Sequence, residues 1–469
     1  MNLQRRDILL VAGASLATAT PHAFPVCENK PNEICNVTRL YSVQAENIVI
    51  AKNIDDIQRV LKASWKGVSV GGGRYSMGGQ TAFPGGIQVD MRQLNQLVWM
   101  DASARLVRVQ SGMRWRDLQT ILDPLNLSVQ TMQSYSNFTV GGSLSVNCHG
   151  RYVGHGAIIN SVRSLQILIP DGQVLEANRQ TNKDLFIAAI GGYGSVGVIS
   201  EVELHLDENF AIERSADRVL LEDYADWFIE KIRADRTVLL HNADLTPPNF
   251  DKPFAVTWRK SNKPVNVQKR LRLVDQVDRS MQAGIWAMTE LPAGHKLRSV
   301  VQKEQETAQV VWRNYEASLD VRELEPTTRK ISTYVLQEYF IPISAFRRYV
   351  FDLSKLMQTL STHTLNISIR HCKADSESLM SWAKEDVFCF VVYYKQRMNP
   401  RGVTDVAQWT RAMIDLALRH GGTYYLPYQP HASQVQFERA YPEVSALRKL
   451  RKELGAQRLS NSMWERYKV

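Results

Sequence analysis

The sequence is poor in cysteine and in long apolar runs, and each shortage removes a class of protein. Five cysteines occur in 469 residues, with no CxxC or Cys/His spacing of the kind that holds a metal. No metal is expected. Cys27 and Cys35 stand close together, and an oxidising compartment would allow them to pair. Cys148, Cys372 and Cys389 are scattered, and the odd count leaves at least one free thiol. No uninterrupted apolar run reaches the ~20 residues that span a bilayer, which excludes a polytopic membrane protein. Charged residues make up 22% of the chain and apolar residues 44%, an ordinary globular balance that excludes wholesale disorder and fibrous classes. Internal repeats and low-complexity tracts are missing. So are GxGxxG opening a βαβ unit and GxxxxGK[ST], the Rossmann and P-loop fingerprints. The excess of 57 Lys+Arg over 47 Asp+Glu gives +10, which is mild at this length. Aromatic residues do not interleave with a basic stripe, so no nucleic-acid partner is expected.

The chain opens MNLQRRDILLVAGASLATATPHAFP. Arg5 and Arg6 precede a short, weakly apolar run that ends at Ala17-Thr18-Ala19, a small-x-small cleavage pattern. Residues 1–26 therefore read as a secretory signal of the twin-arginine kind. The expected location is periplasmic, or at the membrane if the signal stays uncleaved. The alternative is a basic N-terminus on a buried helix.

Short β-rich runs alternate with glycine-rich turns and helical stretches from about 47 to 207. Strands are expected at 47–51, 67–70, 87–90, 107–110, 165–169 and 198–206, and helices at 55–64, 115–122 and 183–190. Pro170, Asp171 and Gly172 mark a hairpin turn. Glycine thins out after 208. Apolar residues at 267, 271, 274, 277, 281, 285 and 288 predict one face of an amphipathic helix. Its other face carries Lys269, Arg270, Arg272 and Arg279, either a solvated surface or a basic face for an anionic membrane. A second helix is expected at 300–318. Strands at 331–341, 366–369 and 387–394 then alternate with helices at 345–360 and 405–420. The expectation is an α+β chain in four parts: the signal, a domain at 36–207, a second domain at 208–440 with helices on one face of a sheet, and a tail at 441–469.

Two glycine clusters carry most of the chemistry. The first runs Gly71-Gly72-Gly73-Arg74-Tyr75-Ser76-Met77-Gly78-Gly79-Gln80, directly after a strand. Consecutive glycines allow successive N–H groups to converge on anionic oxygens, though a tight surface turn is the plainer alternative. The second runs Thr139-Val140-Gly141-Gly142-Ser143-Leu144-Ser145-Val146-Asn147-Cys148-His149-Gly150, followed later by Gly191-Gly192-Tyr193-Gly194-Ser195-Val196-Gly197-Val198-Ile199. Glycine at this density lets a flat, extended ligand lie against the main chain. His149 is the notable polar residue among them.

In this order the segments resemble the PCMH-type FAD-binding domain of the vanillyl-alcohol oxidase superfamily over about residues 36–207. Within it they are most similar to the aldonolactone and alditol oxidases, through Val140 to Gly150 and Gly194 to Ile199. Tyr441-Pro442, Arg448, Leu459, Asn461 and Arg466 resemble the ending with which those chains return to the flavin domain. The resemblance implies a two-part FAD domain and a substrate-binding cap. It implies cofactor contacts from Gly71, Gly72, Gly73, Arg74, Tyr75, Ser76, Gln80, Thr139, Gly141, Gly142, Ser145, His149, Gly150, Gly194, Val198, Ile199 and Asn461. Many members hold the flavin covalently through a histidine before the serine of the first loop. Tyr75 stands there in this chain, which implies noncovalent FAD. Sugar-oxidising relatives show Glu-x-Arg on a cap strand, and here Ser368-Ile369-Arg370 keeps only the arginine.

Oxidising a carbinol requires a group to receive the hydroxyl proton and positive charge or N–H dipoles near the flavin as it gains electrons. Arg370, His149, Tyr428 and Gln429 are the candidates. The plainer alternatives are an arginine paired with a carboxylate and a structural tyrosine cluster. The expected activity is FAD-dependent oxidation of a CH–OH group of a sugar, sugar lactone or related small molecule, with oxygen, a quinone or a cytochrome as electron acceptor. The alternatives are an enzyme similar to the polyprenyl-phosphoryl ribose oxidases, in peripheral contact with a membrane, and a flavin-binding protein without turnover.

Overall fold

The computed structural model describes residues 27, 30–63, 66–247, 250–272, 309–326, 328–360 and 362–469. The expected signal at 1–26 lies outside them. A hairpin of β1 (Glu33–Cys35) and β2 (Ser42–Gln44) leads into a parallel sheet of β3 (Asn47–Ile50), β4 (Val68–Gly71) and β5 (Ile87–Asp90), with β5 central. A disulfide joins Cys27 to Cys35. Helix Ile54–Lys62 crosses from β3 to β4. It starts where it does because Asn53 accepts from the Asp56 N–H while the Asp56 carboxylate accepts from the Asn53 N–H. Its Ile57, Val60 and Leu61, spaced by threes and ones, fall on one face and bury against the sheet.

The second sheet holds β6 (Leu97–Asp101), β7 (Leu106–Gln110), β8 (Leu127–Val129), β9 (Val162–Leu168), β10 (Val174–Asn178) and β11 (Val198–Glu208). Its order is β10-β9-β11-β7-β6, with β8 paired to the far end of β11. The β9–β10 turn needs Gly172 at φ +86°, the left-handed region, as the Pro-Asp-Gly signal predicts.

The third sheet is antiparallel throughout its pairings. It comprises β12 (Ala211–Arg218), β13 (Val238–Leu245), β14 (Phe254–Lys260), β15 (Val310–Trp312), β16 (Ser332–Pro342), β17 (Thr364–Cys372), β18 (Val387–Arg397) and β19 (Thr423–Tyr424), in the order β15-β12-β14-β13-β17-β18-β16-β19. Helices Phe346–Thr359 and Pro400–Arg419 cover one face. Phe346 and Tyr349 pack on Phe390 at 5.9 and 4.8 Å between centroids, and Trp409 packs on Tyr394 at 4.7 Å. Side chains alternate along a strand, so Val391 and Tyr393 point the other way, toward the first two sheets. The fold is α+β, as the sequence indicates.

Two expected helices are described only in part. The helix expected at 267–288 is not helical at 267–272, and its remainder lies outside the described residues. Asn266 explains the difference: its N–H donates to the Val310 carbonyl and its side chain accepts from the Val310 N–H, which ties this stretch alongside β15. Its two described arginines turn inward. Arg270 pairs with Asp123 at 2.7 Å and lies over the Trp312 ring at 4.1 Å, while Arg272 lies 3.5 Å from Glu316 and over Tyr315 at 4.4 Å. In the second expected helix, at 300–318, the described part is β15 followed by the single turn Arg313–Glu316. Val310, Val311 and Trp312 are β-branched and aromatic, and pairing with β12 outweighs the helical periodicity. Among the described residues no helix is long and apolar enough to cross a membrane.

The tail returns to the first two sheets. The Ser460 N–H donates to Val68 O at 3.0 Å, and the Arg451 guanidinium donates to Ser195 O at 3.0 Å and Leu459 O at 2.7 Å. Asn461 reaches Tyr193 O at 3.2 Å and Trp464 reaches Gly192 O at 3.2 Å.

Candidate active site

Two chambers, of about 60 and about 200 Å³, adjoin through six shared wall residues, Gly72, Ser76, Thr81, Thr139, Gly142 and Val146. The smaller lies where the glycine segments converge, against Gly72, Gln80, Gly141, Ser145, Gly194, Gly197 and Ile199. Glycine is required there for two reasons. A Cβ on Gly72 would lie 2.2 Å from Thr139 Oγ1, and Gly194 holds φ +73°. Among the described residues the backbone N–H groups of 73–76 donate to no other group. The Ser111 hydroxyl, buried in the wall of the smaller chamber, also lacks a partner. Unsatisfied donors around a glycine-lined hollow suit anionic oxygens. The residues present fit the pyrophosphate of FAD.

The larger chamber lies between these loops and the inner face of the third sheet. Leu336 and Glu338 of β16, Val391 and Tyr393 of β18 and Arg370 of β17 form that wall. Glu338 is 2% exposed and His149 5%. The His149 Nε2 lies 2.7 Å from Glu338 Oε1, and the Tyr428 hydroxyl donates to Glu338 Oε2 at 3.2 Å. The Nδ1 of His149 faces the Gly150 carbonyl at 3.2 Å. A carbonyl can only accept, so Nδ1 carries a hydrogen and the Nε2–Glu338 contact shares a further proton between ring and carboxylate. Burial pushes the Tyr428 phenol well above its ordinary pKa, so it stays protonated and donates. Trp382 and Phe340 hold the imidazole at 5.0 and 5.7 Å between centroids. Cys389 has its sulfur within 4.8 Å of both the His149 and Glu338 donor atoms. Burial raises that thiol well above its usual range, so it adds no charge.

The structure brings most of the sequence candidates to these walls: Gly72, Gly73, Arg74, Tyr75, Ser76, Gln80, Thr139, Gly141, Gly142, Ser145, His149, Gly194, Ile199, Arg370 and Tyr428. It leaves others outside. Gly71 backs onto Gln88 and Gly150 onto the Met132 carbonyl. Val198 packs in the core around the parallel sheet. Asn461 caps helix Ser462–Tyr467 while holding the Tyr193 carbonyl. Gln429 is spent on Tyr394 and Gln396, at 2.8 and 2.7 Å, and does not reach the chamber. Tyr75 reaches it and packs edge-on against Phe138 at 4.7 Å.

Glu338 is the residue that motif reading misses. Its signal is present, since it is the lone carboxylate of β16, a strand buried at eight of its eleven positions, and a buried acid demands a partner.

Residues 45–178 match the family described as FAD binding domain. The chain carries a PCMH-type FAD-binding domain. Three curated proteins are similar to part of the chain. L-gulonolactone oxidase of Mus musculus is 27% identical over 194 residues, 41% of this chain and 44% of that protein. Cytokinin dehydrogenase 2 of Arabidopsis thaliana is 27% identical over 207 residues, 43% of this chain and 38% of that protein. Decaprenylphosphoryl-beta-D-ribose oxidase of Mycolicibacterium smegmatis is 30% identical over 152 residues, 32% of this chain and 33% of that protein. The chain thus spans less than half the length of each of these relatives.

Proposed function

We propose that this protein is an FAD-dependent oxidoreductase of the aldonolactone oxidase-like group, acting on a CH–OH group of a sugar or sugar-derived small molecule. The observation that carries this reading is the buried His149–Glu338 pair, at 2.7 Å, in a chamber that adjoins the glycine cradle. Residues 73–76, with Ser111, Gly141, Gly142 and Gly194, would hold the cofactor, without a covalent bond because Tyr75 occupies the histidine position of the first loop. Bound FAD would supply the two-electron acceptor for the hydride leaving the carbinol carbon. Glu338 takes the proton leaving the hydroxyl oxygen, as a carboxylate has lone pairs beyond the two used by His149 and Tyr428. His149 holds Oε1 of that carboxylate through Nε2, and Tyr428 fixes its second oxygen.

Export is part of the same reading, supported by Arg5, Arg6 and the small-x-small pattern, and by the Cys27–Cys35 disulfide, which suits an oxidising compartment. A second reading, oxidation of a lipid-linked sugar at a membrane surface, draws on the similarity to the decaprenylphosphoryl-ribose oxidase. It loses its basic face in part, because Arg270 and Arg272 are engaged internally. The test is anaerobic bleaching of the yellow holoprotein by a panel of alditols, aldonolactones and sugar acids. Bleaching by at least one compound is expected. A flavin that dithionite reduces but no compound in the panel does would favour a flavin-binding protein without turnover.

A further inference from the structure

Arg370 projects into the larger chamber from β17 with no partner for its charge. Among the described residues it forms no ion pair, and its buried Nε has no acceptor. Every other charged group of the chamber wall is matched. Arg74 pairs with Asp90 at 3.1 Å, Arg329 with Glu325 at 3.2 Å, and Glu338 with His149 at 2.7 Å. Directly across from Arg370 stands Cys389, whose thiol burial keeps protonated. The neighbouring position on the same face of β17 is Ser368, which is neutral. Arg370 is half-buried, and a guanidinium that faces apolar and tyrosine walls without an anion is left incompletely paired.

We propose that Arg370 receives an oxyanion carried by the substrate, so that the substrate class is a hydroxylated acid, either a carboxylate or a phosphate ester, rather than a neutral alditol or lactone. This rests on the oxidoreductase reading above. The planar guanidinium matches either oxyanion with two parallel hydrogen bonds. Glu338 and Arg370 stand on strands separated by β18, two strand spacings or ~10 Å apart at the backbone, and both side chains reach the chamber. A compound with its oxyanion on Arg370 and a hydroxyl several bonds away at Glu338 is held at two points, which fixes the carbon that is oxidised.

The experiment is equilibrium titration of the anaerobic holoprotein, read by perturbation of flavin absorbance and so independent of turnover. The probes are gluconate, glucose 6-phosphate and neutral glucitol, each with the parent, Arg370→Gln and Arg370→Lys proteins. One anionic probe should bind the parent about tenfold or more tighter than glucitol. Arg370→Gln should erase that preference, Arg370→Lys should restore part of it, and glucitol binding should not change. Preference for gluconate or for the phosphate identifies the oxyanion. Equal binding of charged and neutral probes overturns the proposal, as does failure of both anions to bind. An Arg370→Gln protein that loses affinity for FAD while keeping the preference also overturns it, since the flavin would then be the partner. Bleaching by neutral compounds alone would leave the oxidoreductase reading intact and remove this one.

Discussion

Glu338 and Ser368 lie in one cross-strand row of the third sheet, each directly opposite Val391 on the strand between them. The carboxylate missing from the strand of Arg370 is therefore present in the same row, two strands away. Its removal is the most direct test of the chemistry. Glu338→Gln keeps the shape and the contact with Tyr428 but cannot accept a proton. Flavin reduction by whichever compound bleaches the parent should slow by about 10²-fold or more, with FAD still bound. Reduction at the parental rate would remove Glu338 from the reaction.

FAD should be released by acid precipitation, with the colour in the supernatant. Tyr75 does not normally form the flavin bond, and the other nucleophiles on the chamber wall are poorly placed to do so. His149 is held by Glu338 and Gly150, and burial raises the Cys148 thiol far above its ordinary pKa. Colour retained in the pellet would identify one of these two as an anchor.

Gly72→Val should weaken FAD binding by about tenfold or more. Its first side-chain carbon would meet Thr139 Oγ1 at 2.2 Å, forcing the two loops of the cradle apart. The effect should appear in the FAD dissociation constant at a temperature where circular dichroism shows the chain folded. An unchanged constant would mean the cofactor lies elsewhere.

Acid should destabilise the protein before most carboxylates titrate. Burial holds His241, between Tyr224 and Thr257, at a pKa of about 3, and holds His431 at about 3 as well. An unfolded histidine titrates near ~6.5. Below that pH the unfolded chain takes up protons that the folded chain refuses, so stability falls from pH ~6.5 toward ~3 and levels off below. Each histidine contributes a loss on the order of a few kcal/mol across that window. Urea unfolding at pH 7.5, 5.5 and 4.5 should show the decline, and His241→Gln should flatten it. A parental slope in that variant would contradict the assignment.

Thiol titration in denaturant should count three reactive cysteines without reductant and five with it, because Cys27 and Cys35 are joined while Cys148, Cys372 and Cys389 are free. Five without reductant would mean that the bond does not form in the protein as made.

The cradle was legible because its physics is local. A run such as Gly71-Gly72-Gly73 can be read from spacing alone, and the same holds for the strands that frame it. Arg370 was legible through motif comparison and Tyr428 as a candidate hydrogen-bonding side chain, and both reach the chamber. Glu338 was not, because its partners His149 and Tyr428 lie 189 and 90 residues away and nothing local marks that meeting. Gln429 failed for the converse reason. Its neighbour in sequence faces the chamber, but the backbone turns between them and the side chain bonds to Gln396. The described start of the basic stretch, 267–272, is covered by partners that periodicity does not report, since it marks a face and not what covers it. Arg270 found Asp123 in the other half of the chain.

The tail contacts have a consequence for the order of events during synthesis. The loop that closes one side of the cradle is held by Trp464 at Gly192 and by Asn461 at Tyr193, partners 272 and 268 residues apart. A nascent chain lacks both clasps until residues 461–464 have left the ribosome, long after the cradle glycines have emerged. Any shortened product that stops before Trp464 should therefore emerge colourless.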